Sequence, residues 1–202
     1  MTYEQMAYVV NGAPSKATFE RAASGASVPS WETIYTFLVV TQIREEIFTG
    51  RLDVAIDRAM DLWLDARRAT RAPYYLHKRP DPDLVGSVAD LSRALRDLHV
   101  WVGYPSPGEM EGMCGPGELP RSTTRRIIQG RTLPASPEQA IAFLKACYVH
   151  PLGIERWLAA AVRAFERDRP HDLETYSWVK AHAKMRKENQ EHSDDQLIER
   201  VA

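Results

Sequence analysis

No run of about 18 apolar residues that could span a bilayer occurs in this 202-residue chain. The start MTYEQMAYVV has neither the basic opening nor the long apolar core of a secretory signal. A cytoplasmic protein with no membrane partner is the expectation. Cysteine is scarce. Cys114 and Cys147 are too few for a disulfide framework and lack the short-spaced partners of a zinc site, so both read as small core residues. Histidine is scattered: His77, His99, His150, His171, His182 and His192 show no ligand spacing and no nucleophile partner. GMCGPG (112–117) has glycines but no Gly-Lys-Ser/Thr to hold a phosphate. Neither an enzyme, a cofactor nor a metal centre is expected.

An excess of one charge is also missing. The net charge is −1, whereas nucleic-acid binders usually carry a basic balance or a basic face. The distribution is uneven, however. The stretch 119–132 holds Arg121, Arg125, Arg126 and Arg131 without an acid, and 67–79 holds Arg67, Arg68, Arg71, Lys78 and Arg79 without one. The second stretch could follow a phosphate backbone or be a solvated linker. Acids gather near the C-terminus at Glu188, Glu191, Asp194, Asp195 and Glu199.

With 44% hydrophobic and 26% charged residues the chain has enough apolar material for a packed core. It also repeats itself. Gly25 and Gly130 lie 105 positions apart, and at that offset Glu4 matches Glu109, Thr18 matches Thr123, Arg21 matches Arg126 and Pro29 matches Pro134. At an offset of 106, Glu32, Phe37 and Leu38 match Glu138, Phe143 and Leu144. DLWLDARRA (61–69) then resembles ERWLAAAVRA (155–164), which pairs Trp63 with Trp157 as core residues. The first copy carries an extra segment near 42–53, where the second has only HPLG.

Each copy reads as helical. VADLSRALRDLHVWV (88–102) places Val88, Leu91, Leu95, Leu98 and Val102 at helical spacing, and GYPSP stops it. Short helices are expected at about 106–114, 120–129, 137–148 and 153–167, with Pro120 suited to a first turn and Gly130 to a C-terminal cap. The result is an all-α chain of two small helical bundles: 1–71, a proline-containing linker 72–86, a second bundle 87–168, and a polar, partly helical tail 169–202.

The segment LPRSTTRRIIQGRTLPASPEQAIAFLKAC (119–147) resembles the phage-repressor-like, or Xre-type, helix-turn-helix family found in high-GC bacteria, and PSKATFERAASGASVPSWETIYTFLVVT (14–41) resembles it a second time. RALRDLHVWVGYPSPGEM (93–110) resembles the first helix and turn of such domains. The resemblance implies two tandem helix-turn-helix domains and a sequence-specific regulator of transcription, associated with the nucleoid. Its third helix would lie in the major groove of double-stranded DNA. It assigns the contacts to Arg121, Ser122, Thr123, Arg125, Arg126, Gln129 and Arg131 in the second copy, and to Lys16, Ala17 and Arg21 in the first.

Helical spacing turns Thr123, Thr124 and Ile127 toward the bundle and leaves Arg121, Ser122, Arg125 and Gln129 outward, with Arg126 and Arg131 toward phosphates. Arginine can bond a guanine edge bidentately, glutamine an adenine edge, and serine a base or a phosphate. In the first copy Glu20 and Ser24 share that face, and a glutamate repels phosphate. Two departures from the family pattern stand out. Thr124 replaces a core aliphatic residue, and the first copy begins at the domain's second helix. The apolar groove this leaves is expected to be covered by the insertion 42–53 or the tail helix 172–187, and a partner chain or a truncated start would account for it as well. The alternative is a protein-interaction module, with a homodimer or a regulatory protein as partner.

Overall fold

The computed structural model describes residues 1–41, 51–169 and 173–201. Among them the chain is all-α, with ten helices, one 3-10 turn and no strand. It divides into two compact units, Met1–Ala72 and Pro73–Ala202.

The first unit opens with α1 (Tyr3–Val9). The backbone N–H of Gln5 donates to Thr2 Oγ1 (3.2 Å) and that of Thr2 to Gln5 Oε1 (2.8 Å), a reciprocal cap that satisfies two otherwise orphaned donors. Next comes α2 (Lys16–Ala23), capped by Ser15, and then α3 (Trp31–Thr41) and α4 (Arg51–Arg71). Met6, Phe19 and Val40 form the core, with Phe37 packed edge-on to Phe19 at 6.1 Å. Trp63 is buried, donates its indole N–H to the Pro29 carbonyl (2.9 Å) and lies 5.6 Å from Trp31.

The second unit contains the 3-10 turn Pro82–Leu84, α5 (Val88–Trp101), α6 (Pro107–Gly112), α7 (Arg121–Ile128), α8 (Pro137–Ala146), α9 (Pro151–Asp168) and α10 (Leu173–Val201). Leu91, Leu95 and Leu98 of α5, Ile127 of α7, Phe143 and Leu144 of α8, and Leu158 of α9 are all buried, with α5 packed against α7 and α9 and α8 against α9. Serine caps start α5, α6 and α8 at Ser87, Ser106 and Ser136, and the imidazole of His150 with Pro151 starts α9. The HPLG segment is therefore the first turn of α9. His99 is buried, and its Nε2–H donates to the Pro105 carbonyl at 2.7 Å, which ties the end of α5 to the start of α6.

The repeat is visible helix by helix. α2 and α7 start and stop 105 positions apart, and the glycines after them have φ of +69° and +70°. α3 and α8 start 106 apart, and Phe19 and Thr124 occupy the same fully buried position. Thr124 is accommodated there because its hydroxyl donates to the Pro120 carbonyl (3.1 Å). One correspondence shifts. The reciprocal caps pair Thr2 and Gln5 with Ser106 and Glu109, so Glu109 is equivalent to Gln5 rather than to Glu4. The cap defines the helix start, and the stretch from that cap to the start of the next helix is one residue longer in the second copy.

Two segments pack more firmly than their composition suggests. In the 72–86 stretch, Asp81 and Asp83 both pair with Arg156, and Arg163 and Arg167 donate to the Pro82 and Gly86 carbonyls, which fastens residues 81–86 to α9. In the tail, α10 lies along α9 and α8, with Trp178 buried 4.9 Å from Phe165 and His182 bonded to Glu155.

A pH dependence follows. The Arg156 guanidinium holds the Asp83 carboxyl below the usual carboxylate range, and the Ser87 hydroxyl does the same for Asp90. Depressed carboxylates contribute stability that is present above their unfolded pKa and is lost as pH falls through the folded values. Chemical denaturation of the second unit should show little change between about pH 7 and 5 and a fall below about pH 4. Asp83→Asn should flatten that fall.

Candidate nucleic-acid interface

α7 is a short helix whose two faces differ sharply. Thr124 and Ile127 are buried, and Thr123 is half-buried beside them. Arg121, Ser122, Arg125, Arg126, Gln129 and Arg131 are exposed. The inward residues pack under α5 and α6, so the helix is held from behind while its polar face is left to solvent. The rotation expected from spacing is the rotation observed, and Thr123 falls on the inner side.

Its N-terminal end is organised by α6. Arg121 lies over Gly108, and its Nε donates to Glu111 Oε2 at 2.6 Å. The acid-free window 119–132 therefore receives a carboxylate from outside it. Glu111 is ten residues upstream, beyond any intrahelical spacing, so no periodicity argument could have found this pair. An exposed pair of this kind is worth at most about 1 kcal/mol, which leaves Arg121 free to exchange partners. Arg125, Arg126 and Arg131 make no ion pair among the described residues.

The C-terminal end is organised by α5. Gly130 sits at φ +70°, and a Cβ there would lie 3.1 Å from Arg96 Nε, because the Arg96 side chain crosses the helix end. Arg96 thus adds a fifth cation beside the four of α7 and its cap, one that a reading of 119–132 alone misses. Gly130→Ala should cost about 1–2 kcal/mol, from the left-handed backbone and the crowded arginine. Thermal melting of the variant measures it.

The equivalent face in the first unit is different in kind. Lys16, Ala17, Glu20 and Arg21 are all exposed, so the positions match but the charge does not. Lys16 stands 4.0 Å from Glu4 of α1, which repeats the pairing of the first α7 cation with an acid of the preceding helix. Arg21 Nη2 reaches Thr18 Oγ1 at 3.5 Å. The first copy's face is close to neutral where the second is strongly basic.

No family model, curated protein or solved structure matches the chain. The connection from α6 to α7 runs from Met113 to Pro120, longer than the three or four residues of a simple helix-turn-helix. Gly115 and Gly117 shape it: a Cβ on Gly115 would lie 2.7 Å from Glu118 Oε1, and Gly117 has φ +78°.

The basic stretch 67–79 runs across the boundary between the two units. Arg67 is buried with its guanidinium 4.6 Å over the Trp63 ring, Arg68 pairs with Asp65, and the boundary between the two units falls at 72/73. Arg67 is a core residue of the first unit and is withdrawn from any surface that this stretch presents. Cys147 is fully buried, whereas Cys114 is half-buried with its thiol 3.4 Å from the Ala142 carbonyl. Burial raises both thiol pKa values, which leaves neither as an activated nucleophile. No cluster of three His, Cys, Asp or Glu side chains that could hold a metal exists among the described residues, and none of their helices is long and apolar enough to cross a membrane.

Among the described residues the first unit has no counterpart to α5. A groove of about 560 Å³ opens between α2, α3 and α4, lined by residues such as Ala22, Ile34, Phe37, Leu38, Leu62 and Ala66. The tail expected to cover it begins at Leu173 in the described chain and is packed on α9 and α8 of its own unit. Of the insertion 42–53, residues 51–53 form the start of α4, and 42–50 lie outside the described residues.

Proposed function

We propose that this protein is a sequence-specific, double-stranded-DNA-binding regulator of transcription, built from two Xre-type helix-turn-helix domains and reading DNA through α7. The observation that carries the reading is the outward face of that helix and its cap. Arg125, Arg126 and Arg131 stand exposed and unpaired among the described residues, beside Ser122 and Gln129, on a helix braced from behind. Arg125 and Gln129 are one helical turn apart and suit adjacent base edges. Arg126, Arg131 and Arg96 suit the flanking phosphates. Arg121 reaches DNA by leaving Glu111, so Glu111→Gln should raise affinity modestly, by about two- to fivefold.

The first unit contributes little direct readout, since Glu20 replaces the equivalent arginine. In a dimer of the whole chain, two α7 helices would address half-sites about 34–36 Å apart. The proposal assigns no catalysis and no cofactor, and places the protein at the nucleoid.

Selection from a random duplex pool at near-physiological salt tests it. An enriched motif, with affinity that falls steeply as salt rises, supports the reading. Retention without enrichment or salt dependence favours the second reading, a protein-interaction module. The specific observation behind that alternative is the near-neutral face of α2 together with the open groove beside it.

A further inference from the structure

In the second unit, α5 packs against both α7 and α9. The first unit repeats α7, α8 and α9 as α2, α3 and α4, but among its described residues nothing corresponds to α5. The same positions are consequently sealed in one copy and open in the other. Ala160 and Ala164 of α9 are 0% exposed, whereas their counterparts Ala66 and Thr70 on α4 line the groove. Ile127 of α7 is buried, and its counterpart Ala22 is half-exposed in the groove wall. Among the described residues, no Asp, Glu, Lys or Arg lines the groove.

We propose that this groove is a docking site for an amphipathic α-helix of a partner protein, seated as α5 is seated in the second unit. The internal repeat supplies the template for the occupant. It is a helix of about four turns with an apolar stripe spaced like Leu91, Leu95 and Leu98, and at least as bulky, because Ala22 leaves more room than Ile127. A second copy of this chain fits less well. Two such grooves facing each other are both concave and present no ridge, and the α5 of another copy is already buried in its own unit. α10 is held on α9 by Trp178 and His182. The inference concerns α2–α4 and stands apart from the DNA-reading role of α7.

The test uses a fluorescently labelled peptide of residues 87–102 as the probe, titrated with the full-length chain and followed by anisotropy. Saturable binding is expected, weakened at least about tenfold by the double substitution Ala23→Glu with Leu62→Glu. Both positions are exposed, Leu62 at 60%, so the fold should survive, and an unchanged circular-dichroism melt checks that. Absence of saturable binding overturns the proposal. Binding that the double variant leaves unchanged also overturns it, since the peptide is then entering the second unit. A dimeric chain that becomes monomeric in the variant overturns it in favour of a second copy over the groove.

Discussion

Phe143→Ala is expected to destabilise the second unit by about 3–5 kcal/mol, while the equivalent change in the first unit, Phe37→Ala, should cost about half that or less. Both phenylalanines occupy the same position of the repeat and pack inward from equivalent helices. Phe143 is 0% exposed, whereas Phe37 touches Phe19 on one side and the open groove on the other. Truncating a sealed ring leaves a cavity that its neighbours cannot fill, and truncating a half-exposed ring mostly widens a space that already exists. For domains stable by about 5–15 kcal/mol, the larger loss is enough to unfold a marginal one. Paired urea titrations of the two variants, read by tryptophan fluorescence, measure the difference. Equal losses would mean that the groove is closed in solution.

Arg125→Ala should weaken binding to a selected duplex by about 1–3 kcal/mol and relax the preference at one base position. The triple substitution of Arg125, Arg126 and Arg131 by alanine should abolish specific retention and lower the salt slope by about two units, because two of the three are placed for phosphates. Glu20→Arg in the first unit, made alone, should leave the selected motif unchanged. The three measurements separate base readout from simple charge. A uniform loss with an unchanged motif in Arg125→Ala would reassign that residue to the backbone.

Much of this protein could be read directly from residue order. Capping residues and stop signals set the helix limits within a few residues: Ser87, Ser106 and Ser136 begin helices, and Gly130 ends one. Local hydrogen bonding decides such boundaries, and local hydrogen bonding depends on neighbours in sequence. The repeat was legible for the same reason, since Gly25 and Gly130 answer one backbone demand at two places. The two-faced character of α7 followed from helical period alone.

Tertiary structure decided where those elements meet. Nothing in the order of residues 67–79 reveals that Arg67 turns inward to cover Trp63 while Arg68 stays with Asp65, and a basic stretch was broken up by packing. Nothing in 119–132 reveals that Glu111 reaches Arg121 or that Arg96 crosses Gly130, because both partners arrive from other helices. The tail looked polar and marginal, yet Trp178 against Phe165 secures it along α9. Sequence by itself determined helix content, helix limits, the repeat and the outward face of α7, all governed by interactions within about one helical turn. Only the folded chain decided which cations remain free for a ligand and which apolar face remains open, because both depend on side chains brought together from distant parts of the chain.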